Sequence, residues 1–275
     1  MIVASVDDGF RLITQNDHAT LSGQLCEHWG NETTDAHEFH HSVTAAAYLH
    51  DNGWWEFDLG PRTDSTGSPL NFLQSPKQTW VGFYQRGVEN VIDLDRYGGL
   101  LVSMHGSGIR RRRYATQPDM PQRKHDYSEF IADQESIQQG LAAELQAAGK
   151  VTADDRQMLK NLHEAGNYDR GGVSLWQAYK LVQLMDRLSL YFCMNGTLKT
   201  ETIYPAPVTT DNDVELTIEP IGSDIRIEPY PFDTEPFDVT LPARTIPQQE
   251  YESRRGIVEA YFRATREPVT FTLVG

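Results

Sequence analysis

The chain has 275 residues, and its 39 acidic and 24 basic side chains give a formal net charge of −15. That acidity argues against a general nucleic-acid-binding surface, which needs a positive field. The length supports a core without disulfides, and Cys26 and Cys193 lie far apart in apolar helical patterns, which indicates reduced thiols. Neither a leader-like N-terminus nor a run of eighteen apolar residues is present, so we expect a cytoplasmic protein that does not span a membrane.

Most of the chain up to Lys199 has helical periodicity. Residues 2–13 form two apolar runs around the turn signal Asp7-Asp8-Gly9 and predict a hairpin. The helical spacing predicts, in chain order, a helix that Asp17 caps and one that Thr34 or Asp35 caps. The second helix ends at Asn52-Gly53, since both residues tolerate a left-handed backbone. Further helices are predicted over 79–86, 93–105, 127–148, 154–166 and 173–194. Residues 54–76 are rich in Pro, Gly, Ser, Thr and Asp, and a connection of that length is often functional, for example as a lid.

Beyond Lys199 the pattern changes to the alternation that is typical of strands. VELTIEP, DIRIEPY, FDVTLPAR and VTFTLVG predict short strands with prolines near their ends, and 248–264 has a helical pattern. The prediction is therefore a mainly α protein, α+β overall. Residues 1–199 form a helical domain with an N-terminal hairpin, and residues 200–275 form a β-rich segment packed on it.

Ligand-type side chains lie on the apolar stripes of three predicted helices. His18 lies on the first stripe, His50 on the second with Asp51 directly after it, and Asp186 in the middle of the last. A lone ionised carboxylate on a buried stripe costs on the order of several kcal/mol, so Asp186 needs an arginine, a hydrogen-bond network or a metal. Imidazole and carboxylate ligands together favour Mn, Fe, Ni, Zn or Co over Ca. We predict one or two such divalent ions at His18, His50, Asp51 and Asp186.

Each of these residues also has a purely structural explanation. His18 fits a histidine beside a helix cap, His50 and Asp51 fit a polar helix end, and Asp186 fits a buried salt bridge with an arginine from another helix. However, an aspartate at a helix C-terminus opposes the helix dipole, which is negative at that end. A nearby cation would remove that conflict, which favours a metal beside Asp51.

The order of these residues resembles that in the HD (His-Asp) superfamily of metal-dependent phosphohydrolases. AAAYLHDNGW resembles the small, apolar run into the His-Asp pair, and LVQLMDRLSLYFC resembles the closing helix of that fold. More narrowly, QNDHATLSGQLCEHWG, HDNGWWEFD, SMHGSG and LMDRLSLYFC are together similar to an uncharacterised family of unknown function, which we associate with the HD-like fold. The superfamily resemblance implies an HD-like helical bundle and a small phosphomonoester or phosphodiester substrate, a nucleotide included.

Two residues are candidates for the acid–base steps of such a hydrolysis. Asp51 could orient the nucleophilic water, and His105, predicted at a helix end, could protonate the leaving group or bind a second metal. The alternative for His105 is a histidine that simply stabilises the negative end of its helix. Both roles follow from the superfamily resemblance together with the position of each residue.

Four further residues are candidates for substrate binding. Arg110 and Arg111 belong to the one basic run of an acidic chain. A guanidinium can donate two parallel hydrogen bonds to one phosphate, which suits substrate binding. A solvated loop explains the run equally well. Trp54 and Asp58 open the loop that could act as a lid. For Trp54, anchoring of that loop in the core is the alternative.

Two other classes of function stay open at this point. HD-like folds also include oxygenases with a di-iron centre, which need further ligands, for which His105 is the candidate. A non-catalytic ligand-binding or interaction protein would instead have its carboxylates paired with arginines. The sequence contains no P-loop, dinucleotide fingerprint or Cys-rich zinc motif, and it does not indicate an oligomeric state.

Overall fold

The computed structural model describes residues 1–116, 125–168 and 170–275, which form eight α-helices and one seven-stranded mixed sheet. The helices are α1 (Gln15–Glu27), α2 (His40–Leu49), α3 (Lys77–Leu94), α4 (Arg96–Arg110), α5 (Ser128–Ala147), α6 (Ala153–Ala165), α7 (Ser174–Met194) and α8 (Arg254–Arg263). The strands are β1 (Ile2–Val6), β2 (Gly9–Ile13), β3 (Glu201–Pro207), β4 (Asp213–Ile221), β5 (Asp224–Glu228), β6 (Phe237–Ile246) and β7 (Glu267–Val274). This confirms the predicted α+β class, with an N-terminal hairpin and a C-terminal β segment.

The N-terminal hairpin and the C-terminal strands belong to the same sheet. Its strand order is β1-β2-β6-β7-β5-β4-β3, with β5 and β7 parallel and the other neighbours antiparallel. The hairpin joins through β2 and β6, where Phe10 lies opposite Ile246. Strand β3 was not predicted, because Pro205 and Pro207 interrupt its alternation.

Helix α7 is the central element of the helical body. Seventeen of its 21 residues are buried, and it contacts α1, α2, α4 and α6 as well as β1 and β3. A helix that is enclosed on nearly all sides has to be apolar on nearly all sides, which explains why α7 has the most continuous apolar sequence. Polar residues on such a helix, Asp186 among them, therefore need partners within the protein.

Helices α1 and α2 approach each other closely at a glycine. A Cβ added at Gly23 would lie 2.2 Å from the ring of Tyr48, so no larger residue fits there without a shift. This contact sets the first turn of α1, with His18, beside the end of α2, with His50.

Some boundaries differ from the predicted ones. Thr14, not Asp17, is the N-cap of α1, and its hydroxyl oxygen accepts a hydrogen bond from the Asp17 amide at 3.0 Å. The predicted break between 86 and 93 is absent: α3 continues to Leu94 and α4 begins after Asp95. The Asp95 carboxylate accepts a hydrogen bond from the Gly98 amide at 2.7 Å, and this cap separates the two helices.

The segment after α2 contains short 3₁₀ helices at Asn52–Trp54, Phe57–Leu59 and Phe72–Gln74. We expected Gly53 to adopt a left-handed backbone, but its role is a close approach to α3. A Cβ at this position would lie 2.0 Å from the Phe83 carbonyl oxygen. Helix α2 itself begins at His40, later than predicted, and its N-cap residue Phe39 makes no side-chain capping bond.

Among the helices of the described ranges, none has the length and apolarity needed to cross a lipid bilayer.

Candidate metal centre

The four side chains predicted as metal ligands meet at one buried point. His18 lies in the first turn of α1, His50 caps the end of α2 with Asp51 after it, and Asp186 lies in the middle of α7. The two Nε2 atoms of His18 and His50 are 3.1 Å apart, and Oδ1 of Asp186 lies 3.1 Å and 3.5 Å from them. Oδ2 of Asp51 is 4.0 Å from Nε2 of His18 and 3.8 Å from Nε2 of His50. Each of the four residues is at most 4% exposed.

The opposite nitrogen of each imidazole already has a partner. Nδ1 of His50 donates to the Ala47 carbonyl oxygen at 2.8 Å, so this nitrogen carries a hydrogen. Nδ1 of His18 lies 2.8 Å from the hydroxyl oxygen of Ser189, and this oxygen can accept a hydrogen from Nδ1 when the hydroxyl donates to the main-chain carbonyl of Asp186 at 3.0 Å. With the hydrogen of each neutral ring on Nδ1, the lone pairs of the two Nε2 atoms would face each other. Such an arrangement needs a cation between the rings, either a proton or a metal ion.

The spacing of the donor atoms fits a metal ion. Nitrogen and oxygen ligands lie about 2.0–2.2 Å from zinc, so two ligands at roughly 90–110° to each other are about 3.0–3.5 Å apart. The three distances among His18, His50 and Asp186 fall in this range. Asp51 is slightly farther away and would need only a small approach. The residues present can therefore hold one divalent ion.

The carboxylate of Asp51 is held in place by two neutral donors. The Tyr84 hydroxyl donates to Oδ1 at 2.8 Å, and the Gln15 side-chain amide donates to Oδ2 at 3.0 Å. Burial raises the pKa of Asp51 above its ordinary value. Burial opposes a charge on His50 as well, but the carboxylates of Asp51 and Asp186 raise the pKa of His50 to about 9. In the metal-free protein, the proton on His50 thus takes the place of a cation.

Asp186 has an arginine partner on its other side. The guanidinium of Arg113 donates to Oδ2 at 2.6 Å, while Oδ1 faces the two imidazoles. Although burial would raise the pKa of Asp186, the guanidinium of Arg113 and the facing imidazoles of His18 and His50 hold it well below its ordinary value. This pairing is the feature that we expected of a non-catalytic protein. Asp51, in contrast, forms no ion pair with an arginine in the described ranges.

A strained turn places Arg113 beside Asp186. The four residues from Arg112 to Ala115 have φ values of 53°, 49°, 52° and 67°, the left-handed region that residues with a Cβ rarely occupy. Each such residue costs about 1–2 kcal/mol, so the surrounding contacts have to hold the turn in place. Tyr114 provides one of them through a 2.9 Å hydrogen bond between its hydroxyl and that of Ser107. Strain of this size next to the ligands is typical of functional sites.

His105 lies behind His50 and is completely buried. The ring centroids of the two histidines are 4.9 Å apart, and His50, His105 and Asp186 form a second group of possible ligands. The side-chain amide of Gln183 donates to Nδ1 of His105 at 2.8 Å, while its oxygen accepts from Arg113, which places the hydrogen of the neutral ring on Nε2. Burial holds the pKa of His105 well below its ordinary value, and Nε2 has no partner among the described residues.

A cavity of about 640 Å³ opens onto the ligands. His18, Asp51 and Asp186 line it together with Arg113, so a small molecule could reach all four. Most of its other lining residues are apolar or aromatic: Phe72, Leu73, Trp80, Tyr84, Ile109, Tyr127, Leu190 and Met194. The remaining lining residues are polar or charged: Gln15, Gln74, Ser75, Arg110 and His125. The end of the predicted lid segment, residues 72–75, therefore forms part of the wall. His105 does not line the cavity.

Of the four residues predicted to bind substrate, the structure brings only Arg110 to this cavity. Arg111 forms an ion pair with Glu135 elsewhere. Trp54 is 1% exposed and packs in an aromatic cluster, which matches the alternative of a loop anchor. Asp58 is buried, where it accepts hydrogen bonds from the N-terminal amino group and from the first residue of α1.

Sequence analysis assigned no ligand-positioning role to five residues that the structure places around the ligands: Gln15, Tyr84, Ser189, Gln183 and Arg113. Only Arg113 had a signal, because the buried carboxylate of Asp186 required a cation and the basic run follows α4 directly. The others are ordinary polar residues on amphipathic helices, and their contacts depend on how the helices pack.

Comparison with known proteins identifies the family of the chain. No curated protein and no solved structure matches it. A family model described as "Protein of unknown function (DUF3891)" matches residues 1–248, and this confirms the narrower of the two resemblances, to a family of unknown function. Because the match covers far more than half of the chain, the chain belongs to the DUF3891 family of proteins of unknown function.

Proposed function

We propose that this chain is a metal-dependent hydrolase of phosphate esters whose ion is held by His18, His50, Asp51 and Asp186. One observation carries the proposal: the Nε2 atoms of His18 and His50 lie 3.1 Å apart, and Asp51 and Asp186 each place an oxygen within 4.0 Å of both nitrogens. Both Nδ1 atoms have other partners, and three of the four residues line a cavity. Such a ligand set suits Mn, Fe, Co, Ni or Zn. The resemblance of the ligand order to the HD superfamily supports phosphate chemistry.

A bound ion of this kind lowers the pKa of a coordinated water and polarises a phosphoryl oxygen. The residues of the chain supply the remaining functions. Asp51, oriented by Tyr84 and Gln15, can hold the attacking water and accept its proton. Arg113 lines the cavity beside Asp186, and its charge favours the approach of a phosphate. His105 is not part of this proposal as a general acid, because it lies outside the cavity lining.

A di-iron oxygenase is the second candidate, and one observation favours it. His50, His105 and Asp186 form a second ligand group that shares two members with the first. For His105 to bind through Nε2, its hydrogen would have to move to Nδ1, and the Gln183 amide would have to turn. The contact between Arg113 and the Gln183 oxygen opposes that turn. We therefore rank hydrolysis first.

A non-catalytic ligand-binding protein is the third candidate. The Arg113–Asp186 pair favours it, since this pair neutralises Asp186 without a metal. In that case the proton on His50 balances Asp51 and the two facing imidazoles, but their position beside the cavity has no assigned function. The three candidates differ in metal content and in reaction, so one set of measurements separates them.

The test is elemental analysis of protein purified without added metal, combined with a hydrolysis screen. The screen uses 4-nitrophenyl phosphate and bis(4-nitrophenyl) phosphate with each of the five divalent ions. We expect one bound transition metal per chain, hydrolysis of at least one substrate, and loss of both in Asp51→Asn. Asp133→Asn, a change of the same charge at an exposed site of α5, is the matched control.

Each other outcome favours a different candidate. Two irons per chain, a visible iron absorption band and no hydrolysis would favour the oxygenase. Absence of bound metal and of hydrolysis in the wild-type protein would favour the non-catalytic candidate. Equal metal content in Asp51→Asn and the wild-type protein would refute the proposed ligand set.

A further inference from the structure

Arg110 is a positive charge on the cavity wall that has no acidic partner in the described ranges. The other arginines of the same run differ from it: Arg111 pairs with Glu135, Arg113 pairs with Asp186, and Arg112 is exposed. Arg110 is only partly buried and lines the same cavity as the candidate ligands. A guanidinium that is partly removed from water and unpaired is a binding group for an anion.

Two aromatic rings hold the guanidinium of Arg110. Its Cζ atom lies 3.4 Å from the ring centroid of Trp80 and 4.0 Å from that of Tyr127. These cation–π contacts use the faces of the rings and leave the N–H donors of the guanidinium for acceptors in its plane. Its Nε is buried and has no hydrogen-bond partner among the described residues. The charge is therefore held in place with donors still to be satisfied.

The cavity that Arg110 shares with the candidate metal ligands has several apolar lining residues. They are Phe72, Leu73, Ile109, Leu190 and Met194. Arg110 is the last residue of α4 and follows His105 by five positions, which corresponds to about 7.5 Å along the helix. The cavity thus combines polar candidate ligands, apolar lining residues and the positive group of Arg110.

We propose that Arg110 is a second anion-binding subsite of this cavity. This subsite implies a substrate with two acidic groups joined by an apolar body: one group at the His and Asp ligands, the other at Arg110. The assignment of the first group rests on the proposed hydrolase function. The assignment of the second rests on Arg110, Trp80 and Tyr127 alone.

Calorimetric titration with phosphonates, which are not hydrolysed, tests this subsite. Benzylphosphonate has one acidic group, 4-carboxybenzylphosphonate adds a second, and a carboxylated biphenyl phosphonate places the second group farther away. We expect at least one carboxylated probe to bind about tenfold tighter than benzylphosphonate, the gain from a charged hydrogen bond. In Arg110→Gln that gain is lost. Arg110→Lys keeps the positive charge and should retain part of the gain in affinity. Arg112→Gln, the matched change at the exposed neighbour, should retain the whole gain.

Three results would overturn the proposal: no gain from the carboxyl group in the wild-type protein, an equal gain in Arg110→Gln, or an equal loss in Arg110→Lys and Arg110→Gln. The titrations are repeated on metal-free protein. A gain that depends on Arg110 supports the subsite even where the hydrolysis screen finds no reaction, so failure of the hydrolase proposal and failure of this one are distinguishable.

Discussion

The guanidinium of Arg113 donates to Oδ2 of Asp186 at 2.6 Å, while the other oxygen of this carboxylate lies 3.1 Å from Nε2 of His18. One buried carboxylate therefore neutralises an arginine and faces the candidate ion at the same time. Removal of one partner of a buried ion pair costs about 3–5 kcal/mol, because the other charge is left unpaired. A cation bound at Asp186 would offset part of that cost.

Arg113→Met is therefore expected to lower the melting temperature of the metal-free protein more than that of the metal-loaded protein. A loss of about 3 kcal/mol corresponds to a shift of roughly 6–12 °C for a chain of this size. Thermal unfolding with and without the metal measures both shifts, and Arg112→Met at the exposed neighbouring position is the control. Equal shifts in the two states would argue against a cation at Asp186.

Tyr84→Phe should weaken metal binding without removing a ligand. Burial raises the pKa of Tyr84 well above its ordinary value, so its hydroxyl stays protonated and donates to Asp51. Loss of a donor that orients a ligand typically lowers metal affinity by about 10–100-fold. Competition with a chelator of known affinity measures the change, and Tyr204→Phe, at a tyrosine that is 55% exposed, is the control. Unchanged affinity in Tyr84→Phe would count against Asp51 as a ligand.

Helical periodicity was sufficient to predict which side chains would face inward. His18, His50 and Asp186 lie on apolar stripes, and the structure buries all three at one point. The same reasoning required a positive partner for Asp186 but could not choose it, because the choice depends on the left-handed turn at Arg112–Ala115. Such a turn has no sequence signal, since it contains no glycine. Whether the site binds a metal stays a prediction.

The sheet was harder to predict than the helices. Alternation revealed four of the five C-terminal strands, but the partner of each strand depends on contacts between distant parts of the chain. Phe10 and Ile246 pair across β2 and β6, and nothing in either segment alone indicates this register. Loop positions such as Asp58 were also unpredictable, because its partners, the N-terminal amino group and α1, are distant in sequence.

The pH dependence of metal affinity and of metal-free stability should have opposite signs. The carboxylates of Asp51 and Asp186 outweigh burial and raise the pKa of His50 from 6.5 to about 9. Protonated His50 therefore stabilises the metal-free fold fully below about pH 6.5, and this contribution is lost as the pH rises through about 9. A metal binds neutral His50 and displaces the proton, so affinity should rise about tenfold per pH unit up to about pH 9.

Two measurements between about pH 6 and pH 9 check these signs: the melting temperature of metal-free protein and the dissociation constant of the ion. The glutamine in His50→Gln cannot be protonated in this range. This variant should therefore lose the pH dependence that His50 gives to the melting temperature and to the dissociation constant. A metal affinity that does not change with pH would mean that His50 is not a ligand.

Gly53→Ala and Gly82→Ala should have effects of opposite sign on stability. A Cβ at residue 53 would lie 2.0 Å from the Phe83 carbonyl oxygen, whereas a Cβ at residue 82, inside α3, meets nothing within 4 Å. Overpacking costs about 1–3 kcal/mol, while alanine in place of an unconstrained helical glycine gains about 0.5–1 kcal/mol. Because residue 53 is two positions from Asp51, Gly53→Ala should also weaken metal binding, and Gly82→Ala should not. Thermal unfolding and chelator competition measure both effects, and a Gly53→Ala protein as stable as the wild type would show that α3 can move away from this segment freely.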